Sequence, residues 1–120
     1  MSSCPLPLLV ILSSGTDQAL RAQEALDLVY AGLALDWPVS LLLQGAALDW
    51  LKPGAADPAA GPGARALPLL ADYGLQRLCV AEAEFQAAGL AEAALTTAVE
   101  RLDGAALAAL QRAAGRCLHG

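Results

Sequence analysis

The side chains that could do chemistry in this chain are few. Three cysteines, Cys4, Cys79 and Cys117, and a single histidine, His119, are its whole set of thiol and imidazole groups. A cysteine reacts as the thiolate, which a helix N-terminus or a nearby cation favours and an apolar burial suppresses. Cys79 stands in "RLCVAEAEFQAAGL" (77–90), an apolar run leading into a helix-like stretch that ends at Gly89. It is therefore either a reactive thiol at the mouth of a parallel sheet or a small apolar residue packed inside a strand. Cys4 precedes the first apolar run, where a residue without a role is expected. Cys117 lies in the C-terminal "RCLHG", where a terminal strand is expected to bury it. An odd count with no CxxC pair points to reduced thiols in the cytoplasm. His119, one residue from the C-terminus, is expected to be frayed and solvated. This inventory leaves no zinc site and no Ser-His-Asp triad, and neither a metal nor a cofactor is expected.

Other groups carry weaker signals. Glu82 and Glu84 suit the positive end of a helix, and they would form an acid–base pair only in a cleft that shifts their ionisation. The loop "SSGTDQ" (13–18) could cradle a small anion at a helix N-terminus, although it has one glycine and no lysine. Gly61-Pro62-Gly63 lacks the preceding strand and third glycine of a dinucleotide fingerprint. Trp37 and Trp50 suit either the core or an interface.

The elements that must position these groups follow from periodicity. "PLPLLVILSSG" (5–15) and "VSLLLQG" (39–45) are short apolar runs, the pattern of strands buried on both faces of a parallel sheet. Between them "TDQALRAQEALDLVYAGLALD" (16–36) changes to helical spacing, with Thr16 or Asp17 as N-cap and Trp37-Pro38 after its end. A right-handed crossover makes this segment a parallel βαβ unit. "AALDWL" (46–51) is a short helical turn. "KPGAADPAAGPGA" (52–64), with three prolines and three glycines, is a flexible loop within one domain spanning 1–120. "RALPLLADYG" (65–74) predicts a short helix, "LQRLCV" (75–80) a strand and "AEAEFQAAG" (81–89) a helix stopped by Gly89. An extended piece around Val99, a helix over 105–114 and a last strand over 116–120 complete an α/β alternation with helices on both faces.

Composition sets the remaining bounds. With 120 residues, the chain is long enough to bury a core. Its apolar fraction of 57% against 16% charged residues leaves surface for a subunit interface. A net charge of −5 with seven scattered basic residues excludes nucleic acid and anionic membranes as direct partners. The run "PLPLLVIL" has no basic residue before it and no cleavage site after it, so a buried strand is expected there rather than a signal peptide.

The N-terminal strand with its Ser-Gly loop, "AQEALDLVYAGLALD", "VSLLLQGAALDWL", "LPLLADYGLQRLCV", "AEAEFQAAGL" and "VERLDGAALAALQRAAGRCL" together resemble the DsrE/DsrF/TusBCD sulfur-relay superfamily. The likeness covers nearly the whole chain and comes closest to the TusC/DsrF branch. It implies a small three-layer flavodoxin-like sandwich with a mostly parallel sheet of about five strands. It further implies a dimer of heterotrimers with TusB-like and TusD-like (DsrH/DsrE-like) subunits. In this family the TusD/DsrE-type subunit accepts sulfur as a cysteine persulfide, bound for tRNA wobble-uridine 2-thiolation or serving sulfur oxidation. TusC/DsrF-type subunits are structural partners. The family places its acceptor cysteine just past the strand, with seven residues between it and the glycine that ends the next helix. Counted back from Gly89, that place is Ala81, with Cys79 two residues earlier inside the strand. The resemblance thus implies a subunit without the acceptor, and a persulfide carrier using Cys79 and a stand-alone anion-binding module stand as alternatives.

Overall fold

The computed structural model describes residues 8–13, 19–51, 70, 72–90 and 99–119. The loop expected over 52–64, most of the helix expected over 65–74, Cys4, the N-cap candidates Thr16 and Asp17 and nearly all of "SSGTDQ" lie outside them.

Two uninterrupted apolar runs form the centre of the sheet. In β1 (Leu8–Leu12) and β2 (Val39–Leu43) every residue is buried, including Ser40. They pair in parallel from Leu8 against Val39 to Leu12 against Leu43. Beyond them lie β3 (Arg77–Ala81), β4 (Glu100–Leu102) and β5 (Arg116–His119). All pairings are parallel, and the order across the sheet is β4-β3-β2-β1-β5. The chain steps in one direction from β1 to β4 and then returns to the far side of β1. Right-handed crossovers therefore place α1 (Ala19–Ala34), the 3₁₀ turn Gly45–Leu51 and α2 (Glu82–Ala87) on one face. The reversed last crossover places α3 (Gly104–Ala113) on the other. The result is a flavodoxin-like three-layer α/β sandwich with a five-stranded parallel sheet.

Alternation along the strands divides the core in two. Val10, Leu41 and Val80 face α1, Trp50 and Phe85 in the larger cluster. Leu9, Ile11, Leu42 and Cys79 face Leu110 of α3 in the smaller one. Helix α1 approaches the sheet closely at Gly32, where a Cβ would lie 2.8 Å from Val39 Cγ2. Its end is a Schellman turn: Trp37 N–H donates to the Gly32 carbonyl and Asp36 N–H to that of Leu33, both at 3.0 Å. Asp36 takes the left-handed position of that motif, with φ 58°. At α2 the ending glycine is where the sequence puts it, Gly89 at φ 68°. Helix α3 is capped by Asp103, whose carboxylate accepts from Ala106 N–H at 2.8 Å.

Three expectations from the sequence need correction. Ala81 is the last residue of β3 rather than the first of the helix. The backbone of His119 is not frayed; it pairs with Ile11 in β5. Cys117 is exposed rather than buried, because β5 is an edge strand and α3 covers the rows nearer the middle of the sheet.

Candidate functional site

The family resemblance directs attention to the carboxyl end of β3, the edge at which open α/β sheets place their chemistry. Ala81 stands there, half-buried, in extended conformation (φ −73°, ψ 131°), and it caps α2 without a side-chain hydrogen bond. Its methyl group offers no nucleophile.

The charged groups around Ala81 are engaged with one another. Glu82 accepts from Gln86 Nε2 at 2.8 Å across one helical turn. Its other carboxylate oxygen lies 3.3 Å from Arg101 Nε on β4. The Arg101 guanidinium sits over the Phe85 ring, 5.1 Å from its centroid, an attractive cation–π arrangement. Glu84 accepts from the backbone N–H of Gly45 at 3.2 Å, tying α2 to the turn after β2. The two carboxylates expected at the start of this helix therefore fasten three neighbouring elements together. As arranged, they are ties and not a paired acid and base.

Cys79 lies two residues deeper. It is 0% exposed and packs with Ile11, Leu42 and Leu110 beneath α3. Burial pushes its thiol up to about 11, the Glu100 carboxylate adds to that, and Arg77 opposes it. Such a thiol is neutral at physiological pH and a poor nucleophile. Glu100 pairs with Arg77 in a fork, Nη2 to Oε2 at 2.8 Å and Nε to Oε1 at 3.2 Å. The hydrogen bond from Arg77 holds the Glu100 carboxyl below its ordinary range. Both side chains are well exposed, so the pair adds less than about 1 kcal/mol.

The other sequence candidates are scattered. Cys117 is on the far edge, on β5, three strands from β3. Trp50 is fully buried in the larger core cluster, whereas Trp37 is 36% exposed at the opposite end of the sheet. Among the described residues no group of three His, Cys, Asp or Glu side chains could hold a metal ion. Sequence reasoning missed Arg101, which organises the edge from β4. Its signal is weak, a lone arginine in the ambiguous stretch after Val99.

No protein-family model matches this chain, and no curated protein matches its sequence. Among solved structures, the crystal structure of the ychN protein from E. coli superposes with a TM-score of 0.81. The match covers 97% of this chain and 100% of that one, at 16% sequence identity. This is a likeness of fold, the flavodoxin-like DsrE type, and fold alone does not assign an activity.

Proposed function

We propose that this protein is a TusC/DsrF-like structural subunit of a sulfur-relay hetero-oligomer in the cytoplasm. Its partners are TusB-like and TusD-like subunits in a dimer of heterotrimers, and the assembly moves persulfide sulfur toward tRNA wobble-uridine 2-thiolation. One observation carries the reading. The position where the resembled family keeps its acceptor cysteine is Ala81, a methyl group at the carboxyl end of β3, while the nearest thiol, Cys79, is sealed under α3. The likeness of fold to the ychN protein supports the superfamily. The outer side of α1 supports a docking role. Leu20 and Leu28 on α1 and Leu35 just past its end are 74%, 44% and 63% exposed, apolar groups suited to a neighbouring subunit.

Co-expression with TusB-like and TusD-like partners, followed by sulfur-transfer assay of the purified complex, tests this. A stable complex is expected in which Cys79→Ala leaves sulfur delivery within about twofold of the parent, since residues outside the reacting centre act only through stability. Persulfide on Cys79, with delivery abolished in the alanine variant, would make the chain a carrier and overturn the proposal. Among the described residues no helix is long and apolar enough to cross a membrane.

A further inference from the structure

At the end of the sheet away from Ala81, a cleft of about 370 Å³ opens where α1 ends and where the chain enters β2 and β3. That volume is in the range of small-ligand sites. Its walls include Leu33, Asp36, Trp37, Pro38 and Tyr73. Two of the five aromatic residues of the chain thus line one cleft, Trp37 36% and Tyr73 58% exposed. Tyr73 is steadied by an edge-to-face contact with Tyr30, ring centroids 5.6 Å apart. Among the described residues that line the cleft the charged one is Asp36, and it makes no ion pair with another described residue. Asp36 holds the left-handed position of its Schellman turn, where glycine is the usual occupant and aspartate is one of the few other residues that enter readily.

We propose that this cleft binds an alkylguanidinium group, its cation on the ring faces of Trp37 and Tyr73 with Asp36 as counter-charge, and its alkyl stem against Leu33 and Pro38. The chemistry of the described lining favours a cation over an anion or a purely apolar ligand. Among the described residues no lysine or arginine lines the cleft, so nothing in that lining offsets the Asp36 carboxylate for an anion. A purely apolar ligand would cover that carboxylate without pairing it. A planar guanidinium satisfies both the rings and the charge, and stacking on aromatics is what distinguishes it from an ammonium. The group could belong to a free metabolite or to an arginine side chain of a partner protein.

The two tryptophans allow a test with an internal control, because Trp37 lines the cleft and Trp50 is fully buried. Their indole N–H signals are followed by NMR while the intact chain is titrated with butylguanidinium, or with its neutral isostere butylurea. A capped Gly-Arg-Gly peptide and its citrulline counterpart form a second arm. The guanidinium probes are expected to shift the Trp37 signal and leave that of Trp50 in place, with the neutral probes roughly tenfold weaker. Asp36→Asn should weaken binding by a similar factor, and Asp36→Gly should weaken it while raising Tm. Tighter binding of butylguanidinium points to a metabolite, and tighter binding of the peptide to a partner's arginine. The proposal fails if no probe moves the Trp37 signal at up to about 10 mM, if neutral and charged probes bind alike, or if Asp36→Asn binds as the parent does.

Discussion

Cys79 shows how a residue of reactive type is made inert by its place. Its thiol is 0% exposed, and burial holds its ionisation at about 11. Alkylation of the native protein at neutral pH is therefore expected at the exposed Cys117 well before Cys79. Peptide mapping after timed iodoacetamide treatment checks this, and labelling of Cys79 at the rate of Cys117 would contradict the packing described. The same burial has a consequence for stability. Once unfolded, the thiol ionises at its ordinary value of about 8.5, so between there and 11 the unfolded chain releases a proton that the fold retains. Stability should be unaffected by Cys79 below about pH 8.5 and should fall as pH rises toward 11, by roughly 3 kcal/mol in all. Urea unfolding across that range measures the loss, and Cys79→Ala should remove this contribution to the alkaline slope while costing about 1–2 kcal/mol at neutral pH.

At the scale of elements, two substitutions separate local propensity from packing. Asp103→Ala removes the side chain that caps α3 and should cost about 1 kcal/mol in urea unfolding. Gly32→Ala improves helix propensity by up to about 1 kcal/mol. The added methyl would meet Val39 Cγ2 at 2.8 Å, however, and Val39 is a stiff β-branched residue at the start of β2. Overpacking of that kind costs about 1–3 kcal/mol, so the variant is expected to unfold at lower urea; a rise in its midpoint would show that the helix can lift without penalty. The elements legible in the sequence were those whose period is unambiguous. β1 and β2 are continuous apolar runs, α1 has a clear helical period, and Asp103-Gly104 and Gly89 mark helix ends by chemistry. Short elements were less legible. β4 has three residues and two of them are charged, so neither period nor burial marks it. The exposure of Cys117 depends on which strand lies at the sheet's edge, a fact of strand order. The cleft at Asp36 was invisible for a similar reason, since it joins the end of α1 to a turn near residue 74 that adjoins it only in the fold.

Across the whole molecule, the unusual quantity is apolar surface. With 57% apolar and 16% charged residues, the chain cannot hide all its leucines, and Leu20 and Leu28 of α1 and Leu35 just past its end face solvent. Fully burying a leucine is worth about 1.5–3 kcal/mol. Three that are roughly half to three-quarters exposed could thus add several kcal/mol to an assembly, enough to change an association constant by about two orders of magnitude or more. Replacing all three by glutamine should cost the fold little, because substitutions at exposed sites usually stay within about 0.5 kcal/mol. The triple variant is therefore expected to keep the circular dichroism spectrum and nearly the Tm of the parent. Its association should change in two ways. Alone, the parent is expected to self-associate and the variant to run as a monomer in size-exclusion chromatography with light scattering. Co-expressed with TusB-like and TusD-like partners, the parent should enter a defined complex and the variant should be left out of it. If a well-folded variant still enters that complex as the parent does, these leucines are ordinary exposed surface, and any assembly must be held through another face of the sandwich.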